Sequence, residues 1–321
     1  MTLDLPQLGM GTAAIGNLYR AMPDAEAHAA VHAALDAGIH YFDTAPHYGF
    51  GLAEERLGAV IRGRDDVIVS TKVGRLLAPT EAKGERHGFV DARPFAPVFD
   101  YSHDAILRSH EESLCRLHRD RVEILLAHDI GRLTHGEAHE TMLAQFLDGG
   151  YRAMRRLRDE GAVDAIGIGV NEVAICLALL ERIELDVILL AGRHTLLDRS
   201  AAKTLLPVCE ARGVRVIVGG PYNSGILARP LADATDLHYD YAAPPSAMVA
   251  KARAIEAEAK RFGVSLPVAA LHFPLRHPAV ASVIPGMANA SEVADNVARL
   301  TAPVPEAMWA AIDGLSVDSL Q

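Results

Sequence analysis

Cysteine is scarce in this 321-residue chain. Cys115, Cys176 and Cys209 are odd in number, widely spaced and never form Cys-x-x-Cys. That excludes a disulfide-stapled scaffold and reads as reduced packing thiols in a cytoplasmic protein. An excess of positive charge is also missing. The formal charge is −10, which speaks against a polyanionic partner, so no nucleic acid is expected. No run of about 18 apolar residues occurs, and Met1-Thr2-Leu3-Asp4 has no basic stretch leading into an apolar one. Neither a membrane nor an export route is therefore expected. Linkers rich in Ser, Gly or Pro are absent too, so residues 1–321 read as one domain, a monomer or small homo-oligomer.

What the chain does have is alternation. Short β-branched runs fall at 39–42, 67–71, 122–127, 165–170, 187–191, 214–218 and 282–284, with an eighth around 8–12. Helical stretches lie between them. Asp24 is a fitting N-cap for the first, Ala27, Ala30, Val31, Ala34 and Leu35 share one face, and Gly38 ends it. Others are predicted over 52–62, 103–116, 151–160, 172–182, 201–212 and 247–262, with a last one from Asn289. Eight β-then-α units over about 300 residues match a closed (β/α)8 TIM barrel of the α/β class. A doubly wound sheet is the rival. It would carry Gly-x-Gly-x-x-Gly after its first strand, and neither Gly9-Met10-Gly11 nor Gly167-Ile168-Gly169 reaches the third glycine; Glu172 takes that place in the latter. Connections 74–101 and 129–150 are long and follow strand ends, so they read as substrate-covering loops.

Four polar residues stand at the ends of successive strand candidates. Asp43 follows Tyr41-Phe42, Tyr48 comes five residues later, Lys72 follows Ser70-Thr71, and His128 follows Leu125-Leu126-Ala127. Each alone has a bland reading: a helix cap, a packed ring, a solvated amine, a core imidazole. Together they are chemically complementary. A phenol titrates near pH 10, so it needs help to exchange protons near neutrality. An ammonium favours phenolate, a carboxylate holds the ammonium, and an imidazole orients a substrate oxygen.

The run Asp43-Thr44-Ala45-x-x-Tyr48-Gly49, Ser70-Thr71-Lys72 and the strand-end His128 resemble the aldo-keto reductase superfamily. The likeness runs from Gly9-x-Gly11-Thr12 to Val283-Ile284-Pro285-Gly286 and Asp295-Asn296. It implies a catalytic tetrad of Asp43, Tyr48, Lys72 and His128, with Tyr48 as proton donor or base. It also implies that Lys72 lowers the phenol's pKa and that His128 positions the reacting oxygen. Ser70-Thr71-Lys72-Val73-Gly74-Arg75-Leu76-Leu77 and Leu190-Ala191-Gly192-Arg193-His194-Thr195-Leu196-Leu197-Asp198 bring it near the bacterial D-threo-aldose 1-dehydrogenases, also called L-fucose dehydrogenases. Pyridoxal 4-dehydrogenases and plant L-galactose dehydrogenases are similar to the same branch. The implied reaction is oxidation of an aldose at C1.

By the same resemblance a nicotinamide cofactor would meet Gly11, Thr12, Asn171, Asn223, Ser224, Gly225, Gly286, Met287, Glu292, Asp295 and Asn296. Segment 286–292 has no cation for a 2′-phosphate, and Glu292 stands where an Arg is common. Its carboxylate could accept from a free 2′-hydroxyl, or could close a capping box with Asn289. NAD is expected, with NADP possible. Ala191 and Val218 replace a Gln and an aromatic usual in the family. Tyr19, His47, Asp129 and Trp309 are candidate contacts for a small sugar or aldehyde. No metal is expected: His135 and His139 are four apart but lack a third ligand. The fold also serves as a cofactor-sensing subunit of channels, but no partner-binding extension is visible, so an enzyme is expected.

Overall fold

The computed structural model describes residues 4–231, 237–240 and 242–315. Met1, Thr2 and Leu3, read above for export signals, lie outside that range. The strands are β1 (Met10–Gly11), β2 (Tyr41–Asp43), β3 (Ile68–Val73), β4 (Arg75–Pro79), β5 (Phe95–Phe99), β6 (Ile124–His128), β7 (Ala165–Val170), β8 (Val187–Ala191), β9 (Arg215–Gly219) and β10 (Val280–Ile284). Eight of them form one parallel sheet in the order β1-β2-β3-β6-β7-β8-β9-β10. Its two ends meet. Parallel bridges join Leu8 to Val283 and Gly11 to Gly286, and Gly9 N donates to Val283 O at 3.0 Å. A doubly wound sheet keeps two free edges, so this closure settles the (β/α)8 barrel.

Strands buried on both faces need apolar residues at nearly every position, which is why they read as β-branched runs. Side chains still alternate. Tyr41, Ile124, Leu126, Val187, Leu189 and Ile217 fill the barrel interior. Phe42, Leu125, Ala127, Ile188, Leu190 and Val216 pack outward against the helices. The period of two sets the rim. Asp43 lies two after Tyr41 and His128 two after Leu126, so both point to the interior side at the strands' C-terminal mouth. Lys72 shares that parity through Ser70, and its stem runs over β7, where an added Cβ at Gly169 would lie 3.3 Å from Lys72 Cε.

Several expectations need correction. Asp24 does not cap its helix: Pro23 holds the cap, Asp24 opens the helix Asp24–Asp36, and its carboxylate instead accepts from Arg56 Nε at 2.8 Å. Residues 74–101 are not merely loop. β4 and β5 pair antiparallel from Arg75↔Phe99 to Pro79↔Phe95. Nor is 129–150 an open covering loop. It folds into Arg132–His135, a 3₁₀ turn Gly136–Ala138, His139–Gln145 and a π turn Phe146–Gly150 that runs into the helix Tyr151–Asp159. Gly149-Gly150 looks like a break but marks close packing: Cβ atoms there would lie 2.9 Å from His103 N and 2.4 Å from Tyr101 O. The helix expected over 201–212 spans only Leu205–Arg212, and helices Leu266–His272 and Glu306–Asp313 add to those expected.

Gly58 tests the packing around the barrel. It sits in the helix Leu52–Ile61, where a Cβ would lie 2.6 Å from both Arg116 O and Leu117 C. Alanine is the better helix former by about 1 kcal/mol. Overpacking against backbone, which cannot swing aside, costs about 1–3 kcal/mol. Gly58→Ala should therefore destabilise by up to about 2 kcal/mol, read as a lower urea midpoint at unchanged slope. A midpoint at or above that of the unmodified protein would show that the two helices separate freely.

Candidate active site

The β2, β3 and β6 ends converge on one buried charge cluster. Lys72 Nζ donates to Asp43 Oδ2 at 2.7 Å, to Thr44 O at 2.8 Å and to the Tyr48 hydroxyl at 3.1 Å. Those three bonds use all three ammonium protons. Ser70 Oγ donates to Asp43 Oδ1 at 2.7 Å. Ser70 has one proton and gives it to the carboxylate, so the 3.0 Å contact with Tyr41 must run from the phenol to Ser70. Thr12 is fully buried, and its Oγ1 donates to Asp43 O at 2.9 Å. It braces β2 rather than facing a ligand. On the outer side of β3, Thr71 Oγ1 donates to the fully buried Glu54, which also accepts from Arg116 Nε at 2.7 Å.

His128 faces Tyr48 with ring centroids 6.2 Å apart, and its Nε2 lies 3.6 Å from Asp129 Oδ2. Burial, then Arg75, Lys72 and His47, hold the His128 pKa well below the imidazole range. Burial, Arg75, His87 and Lys72 do the same for His47. Both rings are neutral near pH 7 and can bond a hydroxyl in either sense. For Tyr48, burial pushes the phenol above its usual range and Lys72 opposes the shift. The ammonium thus acts in the expected direction, but burial is the larger effect. Burial also works against the Lys72 ammonium, yet Asp43 and Tyr48 outweigh it and its pKa lies above the usual value.

A cavity of about 500 Å³ opens over this cluster. Tyr48, Lys72 and His128 stand in its wall beside Tyr19, His47, Asp129 and Asn171, all singled out from sequence. The wall also holds residues that sequence reasoning passed over as site residues. Arg75 pairs with Asp129 and lies 5.0 Å from the Phe99 ring centroid, and His87 and Phe89 come from the β4–β5 connection. Arg75 had one available signal, its place three residues after Lys72. A second depression of about 540 Å³ sits at the opposite barrel mouth. Its carboxylates secure strand starts: Glu123 accepts from Val69 N at 2.7 Å and Asp186 from Ile166 N at 2.9 Å. The chemistry belongs to the other end.

Asn171 and Ala191 join the main cavity to a small recess lined by Asn223 and Ser224. Asn223 and Ser224 adopt left-handed backbone at φ +46° and +60°, and Gly225 follows at +100°. Asn223 Oδ1 is buried without a partner among the described residues. Gly286 meets Gly11 at the same rim. Other cofactor candidates are already engaged. Met287 is fully buried in the core. Glu292 closes the capping box: its oxygens accept from Asn289 Nδ2 and Ala288 N, while Glu292 N donates to Asn289 Oδ1. Asn296 is 2 % exposed, accepts from Tyr222 and donates to Glu292 O; Asp295 pairs with Arg299. Trp309 is misplaced as a sugar contact. It is 4 % exposed in the helix Glu306–Asp313, packed near Phe273 and under Arg276. His135 contacts the Tyr101 hydroxyl at 3.1 Å, and among the described residues no cluster of three His, Cys, Asp or Glu is placed to hold a metal.

Barrel, rim cluster and recess together define a class. The chain belongs to the aldo/keto reductase family, which it matches over residues 7–317. It is an oxidoreductase of the nicotinamide-dependent kind that acts on CH–OH groups. It is 38 % identical to a pyridoxal 4-dehydrogenase of Microbacterium luteolum, and 37 % identical to a D-threo-aldose 1-dehydrogenase of a Pseudomonas species. Each alignment covers 96 % of this chain and 93 % of the relative. Among solved structures, it is similar to an aldo-keto reductase of Bacillus halodurans in its holo form (TM-score 0.74, 25 % identity, 98 % and 95 % covered). An aldo-keto reductase of Klebsiella pneumoniae in complex with NADPH is also similar (TM-score 0.66, 25 % identity, 97 % and 91 % covered).

Removing the ammonium should expose how the cluster is balanced. Lys72→Met leaves a buried Asp43 without its cation, a loss of about 3–5 kcal/mol at neutral pH. Burial already pushes the Asp43 carboxyl up and Lys72 pulls it down. Without that pull the folded-state pKa exceeds the unfolded one, so the fold binds the proton more readily. The deficit should then shrink as pH falls toward the unfolded carboxyl value of about 4. Urea midpoints of both proteins from pH 8 to 5 check this; a deficit that stays constant would show that Asp43 is solvated.

Proposed function

We propose that this protein is an NAD-dependent aldose 1-dehydrogenase, oxidising a sugar of the L-fucose, D-arabinose or L-galactose type at C1 to its lactone. One observation carries the reading: the Tyr48 hydroxyl accepts from Lys72, itself held by Asp43, in the wall of a cavity that also presents His128, Arg75 and Asp129. An aldose in water closes on its own hydroxyl to a cyclic hemiacetal. Its oxidation removes the anomeric O–H proton and the C1 hydride, leaving a lactone carbonyl. Tyr48 takes the proton as phenolate and returns it in the reverse direction. Lys72 lowers the cost of that phenolate, Asp43 fixes Lys72, and neutral His128 bonds the reacting oxygen. Bound nicotinamide supplies the hydride acceptor. Asn171 would meet its carboxamide, and Asn223, Ser224 and Gly225 its pyrophosphate; the left-handed backbone at these three residues suits close approach of a ligand to the main chain. Gly286 and Asp295 would frame the adenosine end, with Asn296 held behind them by Tyr222.

NAD rather than NADP is favoured because segment 286–292 offers no cation to a 2′-phosphate. Glu292 supports this only by its charge, since both its oxygens already serve the helix cap. Two observations favour other readings. The 38 % identical pyridoxal 4-dehydrogenase names a different aldehyde, which also closes to a cyclic hemiacetal on its neighbouring hydroxymethyl group. The Klebsiella neighbour holds NADPH, which fits an aldehyde reductase.

Initial rates with NAD and NADP, each against L-fucose, D-arabinose, L-galactose and pyridoxal, separate these readings. The expected pattern is NAD with an aldose. Highest turnover with pyridoxal, or with NADPH and an aldehyde, would replace it. Tyr48→Phe should leave the NAD dissociation constant within about threefold and lower kcat by about 10²–10⁴. Because burial raises the phenol's pKa, kcat at saturating sugar should climb from pH 7 toward 10; a flat profile would argue against a phenol base.

A further inference from the structure

Asp129 follows His128 directly, at the point where β6 leaves the barrel. Its backbone sits at φ +49°, a left-handed conformation uncommon for a residue with a side chain, and its N–H is tied to Gly169 O at 2.9 Å. This turn aims the carboxylate into the cavity. Oδ2 takes Arg75 and lies 3.6 Å from His128 Nε2, whereas Oδ1 receives no hydrogen bond among the described residues. Arg75 is held by burial and by the Phe99 ring, so the pair is a fixed feature of the wall.

We propose that the Arg75–Asp129 pair determines specificity by accepting a hydrogen bond from the hydroxyl next to the reacting carbon of the substrate. The inference rests on the aldose reading and deepens it. A carboxylate only accepts. At a hemiacetal carbon, one neighbour is the ring oxygen, which has no proton to give, and the other is C2 with its hydroxyl. With the reacting oxygen on Tyr48 and His128, the Asp129 carboxylate is its neighbour, because Oδ2 lies 3.6 Å from His128 Nε2. Only the C2 side satisfies it, so the pair fixes which way round the ring lies and which face of C1 presents its hydrogen. Burial pushes the Asp129 carboxyl up, and Arg75 pulls it back toward the charged form without using its second oxygen. An aldehyde lacking the α-hydroxyl would leave that oxygen unserved.

D-arabinose and 2-deoxy-D-ribose differ only in the C2 hydroxyl, so they form a matched pair. With NAD, the unmodified protein should favour D-arabinose by roughly 10- to 100-fold in kcat/KM, the range for a hydrogen bond to a charged group. Asp129→Asn, which tolerates the left-handed backbone, should cut the ratio to about tenfold or less, chiefly by losing activity on D-arabinose, because a neutral amide bonds a hydroxyl more weakly than a carboxylate does. Melting temperature and NAD binding serve as controls for folding. Equal losses on both sugars would overturn the proposal, because they would make Asp129 a general electrostatic or structural element. Equal use of both sugars by the unmodified protein would also overturn it while leaving the aldose reading intact, and needs no variant. Oxidation of none of D-arabinose, L-fucose and L-galactose with either nicotinamide would overturn both readings.

Discussion

Everything at the rim depends on a desolvated ammonium. Lys72 is 2 % exposed, and an unpaired charge so placed would cost several kcal/mol. The fold answers by saturation: a carboxylate, a backbone carbonyl and a phenol take its three protons, and Ser70 takes the carboxylate's other oxygen. The ammonium comes from β3 and its partners from the end of β2 and the turn after it, so the cluster forms only when these segments are in register. Register, in turn, rests on barrel closure through Gly11 and Gly286 and on Gly169 leaving room for the lysine stem. The cost of burial makes the geometry narrow. A site that must deliver a proton to one atom gains from that narrowness.

Most of the barrel was legible because parallel strands carry their signal in their own residues. The runs at 122–127 and 165–170 are apolar on both faces, and their ends name the rim residues through a period of two. Asp43, Lys72 and His128 could be read together for this reason. What stayed unreadable depends on partners far off in sequence. Gly149-Gly150 reads locally as a break, but their glycines exist for the backbone at Tyr101 and His103. Asp24 has the chemistry of a cap, yet Arg56, thirty-two residues away, takes its carboxylate. Trp309 and Met287 have the size of ligand contacts and are core residues, because helix packing decides which face a side chain presents. The β4–β5 hairpin carries Arg75 into the cavity, and nothing in its composition announces that.

The cavity joins two kinds of electrostatics, and their separation bears on which chemistry it suits. Deep in the barrel mouth, Lys72 and Asp43 form a closed, fully satisfied pair. Further out, Arg75 and Asp129 form an open one, with a carboxylate oxygen left for a ligand. Between them stand His47 and His128, kept neutral by burial and by the two nearby cations. A protonated imidazole there would add a third positive charge and could only donate. In the proposed reaction a neutral one with its proton on Nε2 would donate to the reacting oxygen, whose own proton passes to the Tyr48 phenolate. The cations that keep the imidazoles neutral are the same groups that hold Tyr48 and Asp129 in place, so one pair of charges sets both the protonation and the geometry of the cavity wall.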